Sequence, residues 1–337
     1  MEIKENYSLK NYNTFGLDIK ARWFAEFHSV EELKELLNTP IAKNNKILLI
    51  GMGSNLLFTG DFQGLVLHSG IKFIEKVAED DDFVKYKVGS GVPWDYFCKY
   101  MANLGYSGTE NLSLIPGEVG ASAVQNIGAY GVEVCDIIDS VETVEISTLK
   151  EKTFKVDDCN YGYRDSIFKC EFKDRFVVTF VNYILRKEPN FNLEYGSLKS
   201  LTEIKEGLTP QRVREEVIAI RESKLPDPKK LGNAGSFFKN PVIGAAEFNS
   251  LLEKYPSMPY YVIEENESYK IPAGWLIEQS GWKGKSLGGA AVYEKQSLVI
   301  VNENNATADD IVNLAKEVCK SVKDMFGIDI YPEVNYI

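Results

Sequence analysis

A single serine stands in the stretch GNAGSFFKNP (232–241), between small or polar residues and two phenylalanines. From this stretch alone, Ser236 could be a helix cap, an ordinary loop residue, or an acid held in a dry site. The chain has only two histidines, His28 and His68, and neither lies in a recognisable motif. The sequence therefore favours neither a serine–histidine–aspartate triad nor a histidine metal site.

Two charged residues are further candidates. Arg164 lies between Tyr163 and Asp165. Its guanidinium could form a surface ion pair worth about 0–1 kcal/mol, or it could hold a substrate carboxylate through two hydrogen bonds. Glu333 lies in IYPEVNYI near the C-terminus, and a lone glutamate is usually solvated. Neither residue is assigned by its own surroundings in the sequence.

Two glycine-rich segments have the composition of cofactor-binding loops. GMGSN (51–55) follows the apolar run ILLI, so its amide groups could surround phosphate oxygens. A tight turn explains it equally well, and the third glycine of the Rossmann fingerprint is missing. PGEVGASAVQNIGAYG (116–131) has little side-chain bulk. We expect a long loop there, which either packs tightly between domains or lets the backbone approach a flat ligand. Together the two segments favour a dinucleotide bound without a Rossmann turn.

As a set, the motifs resemble the UDP-N-acetylenolpyruvoylglucosamine reductase (MurB) family. GYRDSIFK followed by EYGSL, together with serine at position 236, looks like the type I branch, which carries an extra tyrosine loop over the substrate. The motifs that carry the resemblance run in family order across nearly the whole chain: NTFG (13–16), GMGSNLLF (51–58), IPGEVGASAVQNIGAYG (115–131), GYRDSIFK (162–169), LEYGSL (193–198), KLPDP (224–228), GNAGSFFKNP (232–241), AGWLIEQ (273–279), LGGAAVYEKQ (287–296) and PEV (332–334).

The resemblance implies an α+β, three-domain flavoprotein that binds FAD non-covalently and uses NADPH as co-substrate. Two N-terminal FAD-binding domains of the vanillyl-alcohol-oxidase (PCMH) type would span residues 1–70 and 71–224, the second with the tyrosine loop. A substrate domain would span 225–326, and the tail 327–337 would return to the active site. The residues that the resemblance assigns to FAD are Gly51, Gly53, Ser54, Asn55, Leu56, Ile115, Pro116, Gly117, Gly120, Ala121, Val124, Ile127 and Gly128.

By the same resemblance, the enzyme reduces the enolpyruvyl group of UDP-N-acetylglucosamine enolpyruvate to UDP-N-acetylmuramate in peptidoglycan precursor synthesis. Ser236 would donate the proton to C2, and Arg164 would hold the carboxylate. Glu333, if burial raises its pKa, would donate a hydrogen bond to the developing enolate. The residues that match the family's substrate contacts are Tyr163, Tyr195, Lys224, Asn240 and Gln296. Two other functions stay open: an FAD oxidase or dehydrogenase of a small hydroxy acid or lactone, and a non-catalytic nucleotide-binding protein of the same fold.

Composition limits the class of protein, the partners and the cellular location that the chain can have. The 337 residues are 44% hydrophobic and 26% charged, as in an ordinary soluble globular protein. The net charge of −11 argues against broad nucleic-acid binding. No run approaches the roughly 18–20 apolar residues of a membrane span, and the N-terminus lacks the apolar core of a signal peptide. The five cysteines fit reduced thiols, and no metal is expected. We therefore expect a cytoplasmic monomer whose ligands are small molecules.

The elements that must position these residues are predicted from apolar periodicity and from helix start and stop residues. Helices are expected after a capping box at 29–32, from Pro93 to Gly105, from Thr209 to the KLPDP break, and from about Asp309 to Gly327. Strands are expected at ILLI (47–50), GLVLH (64–68), FVKYKVG (83–89), SVETVEI (140–146), RFVVTFVNYILR (175–186) and SLVIVN (297–302).

Overall fold

The computed structural model describes residues 2–204, 207–264 and 267–337. The α-helices of these residues are α1 (Val30–Leu37), α2 (Pro40–Asn44), α3 (Trp94–Asn103), α4 (Val119–Gln125), α5 (Pro210–Lys224), α6 (Ala245–Lys254), α7 (Ala273–Gln279) and α8 (Ala308–Phe326). The strands are β1 (Ile3–Ser8), β2 (Lys20–Phe27), β3 (Ile47–Ile50), β4 (Leu56–Leu57), β5 (Phe62–Ser69), β6 (Ile74–Glu79), β7 (Phe83–Gly89), β8 (Gly128–Ala129), β9 (Val132–Glu133), β10 (Ile138–Glu145), β11 (Glu151–Lys155), β12 (Phe176–Arg186), β13 (Asn233–Ser236), β14 (Val242–Gly244), β15 (Tyr261–Glu264), β16 (Ser268–Lys270), β17 (Ser286–Leu287), β18 (Ala290–Val292), β19 (Val299–Asn302) and β20 (Asn335–Tyr336).

The chain divides into two compact units. The first comprises Met1–Tyr7, Ala21–Met52 and Phe62–Ser223, and the second comprises Ser8–Lys20, Gly53–Asp61 and Lys224–Ile337. Every predicted strand forms, and so do the predicted helices. Among the described residues, no helix combines the length and the apolar composition that a bilayer span needs.

The first unit contains a four-stranded sheet in the order β1-β2-β5-β3, in which β2, β5 and β3 are parallel. The apolar face of α1, formed by Leu33, Leu36 and Leu37, is buried in the same core cluster as residues of β2 and β5. Ser29 Oγ accepts the Glu32 amide at 3.1 Å, as expected of an N-cap. The second hydrogen bond of the predicted capping box differs by one residue. The Glu32 carboxylate accepts from the amide of His28 at 2.7 Å and not from that of Ser29.

A second sheet of the first unit is antiparallel, with the order β11-β10-β12-β7-β6. Its core cluster includes α3, whose Trp94 and Phe97 are fully buried. Tyr183 of β12 packs on Phe97 with ring centroids 4.8 Å apart. The Trp94 indole also donates to the Leu112 carbonyl at 2.8 Å, so this aromatic layer anchors the chain just before residues 115–131.

The prediction that residues 116–131 form one long loop is wrong, because Val119–Gln125 is helix α4. The helix packs closely on residues 90–92: the Val119 amide donates to Val92 and the Gly120 amide to Ser90, both at 2.9 Å. A Cβ on Gly120 would lie 2.7 Å from Ser90 Cβ. The small side chains of this segment therefore allow α4 to pack closely on one side. Composition alone cannot distinguish such a helix from a loop, because small residues are common in both.

The second unit is built on the sheet β13-β19-β18-β17. The buried face of α8 belongs to the same core cluster as Phe237, Phe238 and residues of β18. Thr307 caps α8 with a reciprocal capping box to Asp310. Gly327 ends the helix, as predicted. A small sheet, β14-β16-β15, and the parallel pair of β20 and β4 complete the unit.

Candidate active site

Ser236 ends strand β13, where it pairs with Val299 of β19. Its side chain is exposed, whereas the next residue, Phe237, is fully buried. The Phe237 amide donates to the Leu298 carbonyl at 2.7 Å. Ser236 is therefore a surface hydroxyl on a strand fixed by a buried aromatic anchor, and the alternative of a helix cap is excluded.

Residues 331–333 pair with the chain that follows β13, because they lie antiparallel to residues 237–239. The Glu333 amide donates to the Phe237 carbonyl at 2.8 Å, and a second main-chain bond of 2.9 Å closes the other end of the pairing. The Glu333 side chain is partly buried. The fold thus places Glu333 on the extended segment that pairs with the residues directly after Ser236.

Asn55 lies on the other side of the same C-terminal segment. Its Nδ2 donates to the Glu333 carbonyl at 3.4 Å, and its own carbonyl accepts the Asn335 amide at 3.0 Å. Beyond this point β20 runs parallel to β4. The Glu333 backbone is therefore held from both sides, by the strand after Ser236 and by a residue of GMGSN. Sequence reasoning missed this clamp, because residues 55, 237 and 333 meet only through tertiary pairing.

The Gly53 turn rests on the NTFG motif. Gly53 has φ +63, and an added Cβ would lie 2.0 Å from the Tyr12 carbonyl oxygen, so only glycine fits this position. The Thr14 amide donates to the Gly53 carbonyl at 3.4 Å, and the Thr14 carbonyl accepts the Asn233 amide at 2.9 Å. Residues 12–14 therefore connect the turn of GMGSN with the start of strand β13.

Asn13 holds that connecting segment in shape. It is 5% exposed, and its Nδ2 donates to the carbonyls of Leu9 and Leu17 at 2.8 and 2.9 Å. Its Oδ1 accepts the Leu17 amide at 3.0 Å. Asn13 is a structural residue of the site that the motif contained but the sequence analysis did not single out.

Three of the predicted substrate residues lie in the second unit. Lys224, at the end of α5, is exposed. The side-chain oxygen of Asn240 accepts the first amide of α7, that of Ala273, at 2.9 Å. The side-chain oxygen of Gln296 accepts the Leu298 amide at 3.3 Å. Both amide side chains are thereby oriented by the protein, and their NH2 ends are the ends available to donate to a ligand.

In the first unit, α4 has two different faces. Val119 and Ala123 are buried in the core, whereas Ala121 is exposed and Val124 is partly exposed. Ile127, just after the helix, is also partly exposed. Ala121, Val124 and Ile127 are apolar, so these three residues fit the surface that a flat ring system such as a flavin requires.

The other predicted cofactor residues of the first unit surround α4. Ile115 and Gly117 precede it and are partly exposed, Pro116 is exposed, and Gly120 is buried. Gly128 begins the short hairpin of β8 and β9. Gly51, after β3, is partly exposed.

Arg164 is attached to the end of this segment. Its Nη2 donates to the Gly128 carbonyl at 2.6 Å and its Nη1 to the Asn126 carbonyl at 3.4 Å. Asn126 Nδ2 in turn donates to the Gly162 carbonyl at 2.9 Å. Arg164 has φ +56, and its guanidinium carbon lies 5.5 Å from the centre of the Tyr163 ring. The predicted carboxylate-binding arginine and the predicted cofactor residue Gly128 are thus in direct contact.

Two tyrosines predicted to contact substrate are half-exposed in the first unit. Tyr163 is 48% exposed and Tyr195 is 45% exposed. The Tyr195 ring packs edge-on against Tyr130, with centroids 6.1 Å apart.

Comparisons with known proteins agree with the motif pattern. A family model described as an FAD binding domain matches residues 21–156. A second, described as the C-terminal domain of UDP-N-acetylenolpyruvoylglucosamine reductase, matches residues 227–337. Both matches are consistent with the predicted α+β flavoprotein fold.

Curated relatives are similar over the whole length. The chain is 51% identical to the UDP-N-acetylenolpyruvoylglucosamine reductase of Bacteroides fragilis over 335 residues, which is 99% of this chain and 100% of the relative. It is 49% identical to that of Flavobacterium johnsoniae, with 100% of both chains covered. The crystal structure of the enzyme from Thermus caldophilus matches with a TM-score of 0.68 at 23% identity, over 99% of this chain and 98% of the other. It supports the predicted fold. The chain is therefore an FAD-dependent oxidoreductase that belongs to the UDP-N-acetylenolpyruvoylglucosamine reductase family.

Proposed function

We propose that the enzyme reduces the enolpyruvyl group of UDP-N-acetylglucosamine enolpyruvate with NADPH, giving UDP-N-acetylmuramate for peptidoglycan precursor synthesis in the cytoplasm. Family membership supports the reaction. The observation that carries the assignment of residues is the clamp on Glu333, whose amide binds the Phe237 carbonyl and whose carbonyl binds Asn55. These bonds connect three segments: that of Asn55, a proposed cofactor residue, that of Glu333, and the chain that follows the proposed proton donor Ser236.

FAD, when bound, would supply the hydride chemistry, since it can accept hydride from NADPH and pass it to C3 of the enolpyruvyl group. The residues proposed to hold its diphosphate are Gly53, Ser54 and Asn55, with Leu56 after them. Those proposed to line the rest are Gly51, Ile115, Pro116, Gly117, Gly120, Ala121, Val124, Ile127 and Gly128. The apolar, partly exposed outer face of α4 supports this assignment.

Ser236 is proposed to donate the proton to C2. Addition of hydride at C3 leaves negative charge on C2 and on the adjacent carboxylate, so the proton acceptor is strongly basic and a weak acid is sufficient if it is held within about 3 Å. The strand position of Ser236 supports such a fixed geometry, because Phe237 anchors the backbone on the core side.

Arg164 and Glu333 are proposed to stabilise the charge that develops on the substrate. The contacts of Arg164 to the carbonyl oxygens of Gly128 and Asn126 orient its guanidinium, the group proposed to bind the substrate carboxylate. Glu333, held through its backbone, would donate a hydrogen bond to the enolate oxygen from a protonated carboxyl group. Tyr163, Tyr195, Lys224, Asn240 and Gln296 are proposed to contact the rest of the substrate.

The test is consumption of NADPH by the purified holoenzyme, with and without UDP-N-acetylglucosamine enolpyruvate. We expect rapid consumption that depends on the enolpyruvyl compound and forms UDP-N-acetylmuramate in equal amount. If the compound does not accelerate the consumption of NADPH, the proposed function is wrong.

A further inference from the structure

Both histidines of the chain lie in one row of ionisable groups within the first unit. His68 on β5 is paired in register with Glu26 on the neighbouring parallel strand β2. Its Nδ1 lies 2.7 Å from Glu26 Oε2, and its Nε2 lies 3.0 Å from Glu118 Oε1. His28 Nε2 lies 3.4 Å from the other oxygen of Glu26. The row therefore runs His28, Glu26, His68, Glu118.

This arrangement fixes the charge of His68. A neutral imidazole has one donor and one acceptor nitrogen, whereas here both nitrogens face carboxylates, so the favoured form carries two N–H groups. Burial lowers the pKa of His68, but hydrogen bonds and charges of Glu118 and Glu26 outweigh burial and raise it. The side chains of His68 and Glu118 are each 8% exposed. The geometry therefore favours the form of His68 that is a buried cation between two carboxylates.

Glu118 connects this cation to the proposed cofactor segments. It immediately precedes α4, yet its side chain makes no cap hydrogen bond to the helix and binds His68 instead. Its second oxygen fills the space beside Gly51, because a Cβ added there would lie 3.0 Å from Glu118 Oε2. The chain on either side of Glu118 is fixed through main-chain bonds, from Trp94 to the Gly117 carbonyl at 3.0 Å and from Val119 to the Val92 carbonyl at 2.9 Å.

We propose that protonated His68 is a positioning residue for the flavin: it holds the Glu118 carboxylate beside Gly51 and so fixes residues 116–121, and FAD binds more weakly when His68 loses its proton. The inference rests on the proposed role of these segments in binding FAD. Neither His68 nor Glu118 need touch the cofactor. Among the described residues, the carboxylates shown in contact with His68 are those of Glu26 and Glu118, and His28 contacts Glu26 in turn.

The direction of the pH dependence follows from linkage. The pKa of folded His68 lies above its unfolded value, so its stabilising contribution is complete below the unfolded pKa of about 6.5 and is lost as the pH rises through the folded pKa. A neutral ring would leave one nitrogen lone pair opposite a carboxylate. That repulsion would displace Glu118.

The decisive experiment is titration of flavin-free protein with FAD, followed by quenching of flavin fluorescence, from about pH 6 to about pH 9. We expect the dissociation constant of the unmodified protein to increase about tenfold across this range, because a hydrogen bond between charged groups is lost when His68 loses its proton. In Glu118→Gln, a neutral imidazole can donate to Glu26 and accept from the new amide, so the affinity should stay high and independent of pH. His28→Gln is the matched control and should keep the pH profile of the unmodified protein.

A second readout needs no cofactor. Because the chain has only two histidines, NMR of the imidazole nitrogens in flavin-free protein can follow His68, which should stay protonated to a higher pH than a free imidazole. An affinity for FAD that is constant with pH, or that falls equally in Glu118→Gln, would overturn the inference, as would a His68 ring that is neutral at neutral pH. Protein that binds no FAD at any pH would contradict the proposed function itself, and the inference with it.

Discussion

Replacement of Arg214 by methionine tests how the first unit holds the chain ahead of its proposed cofactor segment. The guanidinium of Arg214, on α5, binds both carboxylate oxygens of Asp95, on α3, at 2.6 and 2.8 Å. Asp95 Oδ1 also accepts the amide of Leu114, which has φ +59 and directly precedes Ile115. The ion pair therefore connects two helices with the entry to residues 115–128.

The expected cost comes from the burial of the pair. The Arg214 side chain is 8% exposed and that of Asp95 is 35% exposed. Breaking a fully buried pair by removing one partner costs about 3–5 kcal/mol, and because water screens part of Asp95, we expect a loss of about 2–3 kcal/mol in the free energy of unfolding. The exposed pair of Arg212 and Glu215 lies on the same helix at 3.5 Å, so Arg212→Met is a matched control with an expected change below about 0.5 kcal/mol.

The assay is urea denaturation of both variants, repeated at several pH values. Burial raises the pKa of Asp95, but hydrogen bonds from Arg214 and from the Leu114 amide outweigh it and lower the pKa. The stabilisation is thus present above the unfolded pKa of about 3.9 and is lost as the pH falls through the lower folded pKa. Without Arg214 the lowering of the Asp95 pKa is reduced or reversed, so the loss of stability on acidification should be smaller in Arg214→Met than in the unmodified protein. Equal, small effects of Arg214→Met and Arg212→Met would refute this reasoning.

Two further predictions concern Gly53 and Asn13, which hold the backbone near β13 in the second unit. Gly53→Ala combines a strained φ of +63 with a Cβ 2.0 Å from the Tyr12 carbonyl oxygen. It should lower the free energy of unfolding by about 2–4 kcal/mol and weaken FAD binding. Thermal unfolding with and without FAD measures both, and a variant as stable as the parent contradicts the turn geometry. Asn13→Ala removes three hydrogen bonds of a buried side chain and should cost about 2–3 kcal/mol. A loss below about 0.5 kcal/mol in urea denaturation would show that these bonds do not hold the segment.

The sequence predicts the elements well where one physical rule decides. Alternating or continuous apolar runs such as FVKYKVG and ILLI became strands, because their periodicity leaves one arrangement that buries the apolar residues. Helix α8 begins after Thr307 and ends at Gly327, and both ends are capped by local hydrogen bonds that need no tertiary information. Residues 116–131 failed as a loop prediction because small residues suit both a loop and a helix packed tightly on Ser90.

The candidate site depends on tertiary pairing that one sequence does not contain. The family motifs identified Ser236, Glu333 and Asn55, but not that the Glu333 backbone is bonded to both neighbouring segments. His68 lies in no motif because its partners, Glu26 and Glu118, are 42 and 50 residues away along the chain. A buried polar group between distant carboxylates can be found only from coordinates.

The central claim is that Ser236 delivers the proton that completes reduction of the substrate, and the two half-reactions of Ser236→Ala test it most directly. Flavin absorbance in a stopped-flow instrument follows each half-reaction in turn. Bleaching by NADPH should proceed at the rate of the unmodified enzyme. Recovery of the absorbance on addition of UDP-N-acetylglucosamine enolpyruvate should slow by at least about a hundredfold, the lower range for loss of a positioned acid. Ser236→Cys, which keeps a proton donor, should recover faster than Ser236→Ala. Unimpaired recovery in Ser236→Ala would contradict the account.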